Sequence, residues 1–253
     1  MIDIRLSDNL ELMAEMKDNT VDLIYCDILY GTGRKFTDYQ DLKPKREIIE
    51  EHYIPRIKEM HRILKDNGSI YLQMDFRINH WVRCILDDVF GYDNFRNEII
   101  QYYSARGGSF NHFTYGHQNI YWYSKSKKYT FNKNEVLINY KPNSLDPKKY
   151  RTKEEYEYVK NKKGMTPSTA WLFHYLQGNS KENLKYATQK PKALIERIIK
   201  ASSNEGDLVA DFYAGSFTTA EVCKDLNRNF IGCDISEKAV QIGLLRVDGL
   251  KNF

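Results

Sequence analysis

Three short apolar runs in this 253-residue chain each stop at an aspartate, and that pattern narrows the possible folds more than any other feature. Val21-Asp22-Leu23-Ile24-Tyr25-Cys26 stops at Asp27, Leu208-Val209-Ala210 at Asp211, and Asn229-Phe230-Ile231-Gly232-Cys233 at Asp234. Short runs of β-branched and aromatic residues read as buried strands. A polar residue at the carboxyl end of such a strand lies where open α/β sheets carry out their chemistry.

Helical patterns alternate with these runs. Ile54, Ile57, Ile63 and Leu64 recur at helical spacing between Ile48 and Leu64, Asp66-Asn67-Gly68 marks a turn, and Ser69 to Met74 reads as the next strand. Ile78 to Phe90 predicts a helix ended by Gly91, and Asn97 to Tyr103 a strand. Ile120 to Tyr123 and Tyr129 to Phe131 predict a hairpin, with Ser124 to Lys128 as its turn. Periodicity fades from about Asn134 to Asn183, where Lys, Tyr, Asn and Pro dominate. It returns at Pro191 to Ala201, with Pro191 near the first turn, and Thr218 to Leu226 predicts a further helix.

Residues 1–133 and 184–253 are therefore expected to form one α/β domain, with 134–183 as an inserted module; the insertion reads equally well as a solvated loop region. A hydrophobic content of 42% supports one sizeable core, and the length leaves no room for a second catalytic domain.

Several classes are disfavoured. No apolar run approaches the roughly 20 residues that span a bilayer, and the N-terminus has neither a basic nor an apolar targeting region, so a cytoplasmic protein without membrane contact is expected. Cys26, Cys84, Cys223 and Cys233 are widely spaced and suggest neither a zinc site nor a redox pair; no metal is expected. The net charge of +4 says little by itself, but Lys and Tyr concentrate between Lys125 and Lys163.

Asp211-Phe212-Tyr213-Ala214-Gly215-Ser216-Phe217-Thr218-Thr219 joins a strand to a helix through small residues, which lets backbone N–H groups approach a ligand. Asp234 closes the next strand about 20 residues on, where a carboxylate can accept hydrogen bonds from ribose hydroxyls. Together these features favour a nucleoside-containing cofactor.

The same loop resembles the S-adenosylmethionine motif D-P-F-x-G-S-G-T-T of DNA amino-methyltransferases. Tyr186-Ala187-Thr188-Gln189-Lys190-Pro191 resembles the T-Q-K-P segment that precedes it, and Asp27-Ile28-Leu29-Tyr30 resembles the D-P-P-Y of adenine enzymes, written S-P-P-Y in many cytosine-N4 enzymes. With the catalytic half first, the order is similar to that of the beta class.

The resemblance implies a Rossmann-like, mainly parallel seven-stranded sheet with circularly permuted motif order and helices on both faces. It implies S-adenosylmethionine across the strand ends and site-specific methylation of DNA at N6 of an extruded adenine, with cytosine N4 as the alternative. Asp211, Gly215, Ser216, Thr218 and Lys190 would then lie near the methionine end, Asp234 on the ribose, and Asp8 near the adenine of the cofactor. Asp8 also suits the N-cap of a helix from Leu10 to Met16. A restriction endonuclease of matching specificity and a homodimer are the partners, besides DNA, that the resemblance brings with it.

An exocyclic amine is a weak nucleophile because its lone pair is delocalised into the ring. The Asp27 carboxylate and the Ile28 carbonyl offer two acceptors for its protons, and Tyr30 offers a stacking face for an extruded base. Carbon-5 cytosine methylation needs a cysteine nucleophile after a proline, and none of the four cysteines has one. Arg34, Lys35 and Arg106, in Gly-containing loops, are candidates for phosphate contacts or simply exposed cations. His117 resembles a segment that shapes the base pocket, and on its own would be an ordinary structural histidine. Tyr140, Tyr150, Tyr156, Tyr158 and Lys160 to Lys163 are where target recognition is expected.

The chain departs from the family pattern twice. Phe217 stands where the motif has a glycine, so either the loop approaches the cofactor differently or affinity falls. Ile28 and Leu29 replace both prolines, which keeps the backbone carbonyl but forgoes the rigidity of the rings. A DNA-binding pseudoenzyme of the same fold is the reading in which these changes abolish transfer.

Overall fold

The computed structural model describes residues 1–35, 39–103, 108, 110–138, 148, 152–160, 164–186 and 188–249, with 158–160 described in backbone alone. Its centre is a sheet of β1 (Ile2–Leu6), β2 (Val21–Asp27), β3 (Leu64–Met74), β4 (Phe95–Tyr102), β5 (His117–Ser124), β6 (Ala170–Leu172), β7 (Leu208–Asp211) and β8 (Asn229–Asp234). The strands lie in the order β1-β8-β7-β2-β3-β5-β4-β6. Only β5 runs against the others, being antiparallel to both β3 and β4.

Burial accounts for the strand sequences. Val21 to Cys26 is buried at every position, since β2 is flanked by β7 and β3 and covered on both faces. On one face α1 (Asn9–Glu15), α2 (Arg46–Ile63) and α3 (Asn79–Phe90) pack around Met13, Ile57 and Val82. On the other, α5 (Lys192–Ser202), α6 (Thr218–Asp225) and α7 (Glu237–Val247) pack around Ile198, Phe217 and Phe230. The remaining helix, α4 (Lys153–Lys160), lies in the segment of weak periodicity.

Helix ends follow local chemistry. Asp8 caps α1, its carboxylate accepting from the Leu10 N–H at 2.8 Å. Gly91 ends α3 with φ +83°, a conformation that glycine adopts freely. Pro191 directly precedes α5 with φ −62°, preset for the helix start.

Two expectations are corrected. The sheet has eight strands where seven were expected, because Ala170–Leu172, inside 134–183, pairs in parallel with Ile100 to Tyr102 at the edge. The hairpin is absent: β5 pairs with β3 and β4, and Tyr129 and Phe131 pack their rings against Trp122 at 5.7 and 5.4 Å without joining the ladder. Aromatic enrichment there reflects side-chain packing.

From β2 the chain passes through α2 to β3 on one side, and from β7 through α6 to β8 on the other. The crossovers diverge between β2 and β7. A cleft opens there at the carboxyl ends, as such divergence produces in open α/β sheets. Among the described residues, no helix is long and apolar enough to cross a membrane, and no group of three or more His, Cys, Asp or Glu could hold a metal.

Candidate active site

Asp27 and Asp211, at the ends of the diverging strands β2 and β7, both line the cleft. Asp8, Lys190, Gly215, Ser216, Thr218 and Asp234 line it with them. Ile28 and Tyr30 belong to the turn that leaves β2.

On the β7 side the loop is pinned by its own carboxylates. Asp211 accepts from the Thr219 hydroxyl at 2.6 Å and the Tyr213 N–H at 3.1 Å. Asp234 accepts from the Gly215 N–H at 2.9 Å and the Ser236 N–H at 2.9 Å. Gly215 takes φ +49°, which lets the loop bend back toward β8. Burial pushes the Asp211 carboxyl up to about 7; the Asp27 and Asp234 carboxylates push the same way, against the pull of its two donors.

Phe217 keeps the backbone conformation of a glycine, φ +53° and ψ +35°, immediately before α6. Its ring is fully buried, edge-on to Phe230 at 6.3 Å, and does not line the cleft. Gly243 on α7 makes room: a Cβ there would come within 2.6 Å of the Phe217 ring. The departure from the motif is absorbed in the core, at a cost of about 1–2 kcal/mol for the left-handed residue.

On the β2 side, hydrogen bonds stand where the family has proline rings. The Ile28 N–H, which a proline would lack, donates to the Gln73 carbonyl at 3.0 Å. The Tyr53 hydroxyl donates to the Leu29 carbonyl at 2.9 Å. Buried Asp41 gathers the Gly31 and Thr32 N–H groups at 3.1 and 2.7 Å and the Leu42 N–H at 2.8 Å. Among the described residues nothing donates to the Ile28 carbonyl.

The Asp27 carboxylate accepts from the Tyr30 hydroxyl at 2.7 Å and from the Lys190 ammonium, which also reaches the Tyr30 oxygen at 3.0 Å. Burial and the Asp27 charge hold the Tyr30 phenol well above its usual range. Lys190 was expected at the methionine end of the cofactor; its ammonium faces the residues assigned to the base.

Three residues at the cleft, Asn9, His52 and Arg56, escaped the sequence reading. Asn9 and Asp8 hold Arg56 of α2 at 2.7 and 3.1 Å, and Asn9 also donates to the Phe212 carbonyl at 3.1 Å. His52, one turn before Arg56, meets the Tyr213 hydroxyl at 3.1 Å, and burial, helped by Arg56, lowers its imidazole to about 4. An i,i+4 pair of polar residues on an otherwise periodic helix was the only available signal. Asp8 is thus a cap and a cleft residue at once.

Beneath Asp27 a buried polar chain crosses four strands. The Tyr25 hydroxyl donates to Gln73 at 2.7 Å, and Gln73 donates to Gln101 and Gln118 at 2.6 Å each. Gln101 donates to the Phe173 carbonyl at 3.0 Å and Gln118 to the Tyr175 hydroxyl at 3.3 Å. Tyr175 packs on Tyr103 with ring centroids 4.1 Å apart. Burial and a hydrogen bond with Tyr103 hold its phenol well above the usual value, and the Asp27 charge adds to the effect.

Arg34 and Lys35 are exposed in the turn after β2, and among the described residues neither has an ion-pair partner. His117 begins β5 opposite Tyr102, exposed and outside the cleft. Arg106, Tyr140, Tyr150 and 161–163 lie outside the described residues, as do the side chains of Tyr158 and Lys160. Tyr156 sits on α4, half-buried.

The sequence profile of the N6/N4 DNA methylases matches residues 21–244. The type II methyltransferase M.HpaI of Haemophilus parainfluenzae is 32% identical over 243 residues, 96% of this chain and 73% of that protein. The DNA adenine methyltransferase YhdJ of Escherichia coli K12 is 32% identical over 252 residues, 96% of this chain and 82% of that protein. Among solved structures, the cytosine-N4-specific PvuII DNA methyltransferase superposes with a TM-score of 0.72 at 17% identity, covering 97% of this chain and 86% of that one. The M1.HpyAVI–SAM complex superposes with a TM-score of 0.60 at 22% identity, covering 97% and 100%.

Proposed function

The chain belongs to the N6/N4 family of S-adenosylmethionine-dependent DNA methylases, and on that premise we propose that it methylates N6 of adenine in a base drawn out of the duplex. The observation that carries this reading is the turn after β2, where Asp27 lines one wall of a cleft whose other wall is the Asp211–Thr219 loop and is followed by Ile28, whose carbonyl has no donor among the described residues.

The cleft suits the cofactor by its chemistry. Asp8, Asp211 and Asp234 bring carboxylates to a space that must accept a sulfonium and an α-ammonium group, and small residues at 214–216 keep the loop backbone open to a ligand. When bound, S-adenosylmethionine supplies an electrophilic methyl. Asp211, Gly215, Ser216 and Thr218 hold its amino-acid end and Asp234 its ribose. Asp8, fixed by Arg56, faces its adenine.

The protein's own contribution is to prepare the amine. The Asp27 carboxylate and the Ile28 carbonyl accept hydrogen bonds from the two amino N–H groups, which returns the nitrogen lone pair from the ring and aims it across the cleft. Tyr30 stacks on the base, and Lys190 orients the Asp27 carboxylate. Since the displacement forms no covalent enzyme intermediate, positioning carries most of the rate. Arg34, Lys35, Arg106 and His117 are assigned to DNA, and 134–183 to target recognition.

Adenine is favoured over cytosine because Asp27 opens the tetrapeptide and because YhdJ is named for adenine. Methyl transfer to DNA followed by nucleoside analysis tests this: N6-methyladenine is expected, and N4-methylcytosine would overturn the choice. Absence of transfer with intact cofactor binding would identify a pseudoenzyme. On family grounds the proposal extends to a restriction endonuclease of the same specificity and to a homodimer, the latter tested by sedimentation.

A further inference from the structure

Two phenyl rings on the β4–β5 connection stand in solvent beside the site. Phe110 is 108% and Phe113 97% exposed, while the third aromatic ring of this loop after them, Tyr115, is stacked on Phe76 at 4.1 Å and 10°. His112 leans on Tyr115 at 5.2 Å, and the Arg77 guanidinium covers Phe76 at 4.7 Å. At its base the loop is closed by the Tyr103 N–H donating to the Gly116 carbonyl at 3.0 Å.

Topology puts this loop at the catalytic edge. β5 runs antiparallel to β3, with Asn119 opposite Met74, and β2 runs parallel to β3, with Asp27 opposite Gln73. The loop therefore leaves the sheet where Asp27 does. Phe76, two residues past the end of β3, anchors its root through Tyr115, so the rigid stack lies at the rim and the bare rings lie beyond it.

Large apolar rings with no cover on the same edge as a base-modifying site call for a partner that covers them. Drawing a base out of a duplex leaves an apolar slot between the neighbouring base pairs, and phenylalanine is among the side chains that fill such slots. Arg34 and Lys35 supply cations at the same edge for the flanking phosphates, while Arg77 is paired with Asp75. We propose that Phe110 and Phe113 form a wedge that enters the DNA stack at the position vacated by the target base. The wedge rests on the reading of the site as one that acts on an extruded base. It acts by stabilising the opened duplex, not by touching the reacting atoms.

The test compares two substrates carrying a sequence that the wild-type enzyme methylates: a fully paired duplex, and the same duplex with an abasic site opposite the target base, where no base pair must be broken and the stack is already interrupted. The Phe110→Ala/Phe113→Ala variant is expected to lose about ten-fold or more in kcat/KM on the paired duplex and to stay within about three-fold of wild type on the abasic one. 2-Aminopurine at the target position should lose its fluorescence rise with the variant, and Phe110→Trp/Phe113→Trp should restore it. Undiminished activity on the paired duplex would overturn the wedge. Equal losses on both substrates would also overturn it and point to general binding or folding. Wild-type transfer to cytosine would overturn the adenine assignment alone, and the same two substrates, built around cytosine, would still decide the wedge.

Discussion

Lys190 and Asp27, 163 residues apart in the chain, form a nearly buried ion pair at the mouth of the cleft, with side-chain exposures of 6% and 14%. Both groups meet the Tyr30 hydroxyl, so the acceptor assigned to the target amine is already bonded on both oxygens. An incoming amine must displace or share one of these bonds. The prearranged pair fixes the carboxylate at the cleft.

Asp27→Asn is expected to lower kcat by about 10²–10³-fold while leaving cofactor affinity within a few-fold, since the carboxylate is assigned to the base. Single-turnover transfer and calorimetric titration with S-adenosylmethionine read the two effects separately. Joint loss of both would move Asp27 to a cofactor or folding role.

Removing the lysine tests the pair energetically. Lys190→Met leaves a nearly buried carboxylate uncompensated and should cost about 3–5 kcal/mol in urea unfolding. Adding Asp27→Asn to that variant should recover most of the loss without recovering activity. Additive losses would show that the two residues are not coupled.

The Phe217 and Gly243 positions should be strongly non-additive. Gly243→Ala drives a methyl into the Phe217 ring and is expected to cost about 1–3 kcal/mol. In a Phe217→Gly background that cost should vanish, although Phe217→Gly alone should destabilise by about 2–4 kcal/mol through the cavity it opens. Because the ring lies outside the cleft, cofactor affinity of a folded Phe217→Gly protein should change little. Loss of affinity at full stability would contradict this.

Asp211 should imprint a pH dependence on the stability of the cofactor-free protein. Its carboxyl sits at about 7 in the folded chain, against about 3.9 unfolded. The folded state thus holds the proton more tightly, and this contribution is complete below pH 4 and is lost as pH rises to 7. At most about 4 kcal/mol is involved. His52, lowered to about 4, acts in the opposite sense, losing stability as pH falls from 6.5 to 4. Unfolding curves of Asp211→Asn and His52→Gln from pH 4 to 8 should separate the slopes; parallel wild-type and Asp211→Asn profiles would contradict the assignment.

Tyr175 is expected to matter for DNA and not for the cofactor. It stands at the end of the glutamine chain and feels the Asp27 charge. Tyr175→Ala, which removes a ring 46% exposed at the end of that chain, should lower kcat/KM for DNA by about ten-fold with cofactor affinity unchanged. Gln118→Leu, which frees the Tyr175 hydroxyl, should give a smaller effect in the same direction. Unaltered kinetics for both variants would remove Tyr175 from the base side.

The strands that end at the cleft were legible because a strand buried on both faces is written as an uninterrupted apolar run, and its end is marked by the first polar residue. Val21 to Asp27 and Leu208 to Asp211 carry that mark plainly. β6 carried none, since three residues are too few for alternation to register. His52 and Arg56 were hidden for a different reason: helical spacing shows which residues face the core, but not which neighbour the remaining polar faces meet. Tyr129 and Phe131 misled because a ring that packs on Trp122 and a ring within a ladder look alike in sequence. The pairing of Lys190 with Asp27 joins distant segments, and no local pattern foretells it.

The fit of Phe217 against Gly243 ties two sites in the gene into one unit of change. A return to glycine at 217 opens a hole, and any side chain at 243 meets the ring, so neither position can drift by itself without passing through a weakened protein. Descendants of this chain should carry the two residues together or exchange them together, and a cofactor loop transplanted into or out of it has to bring its facing helix along.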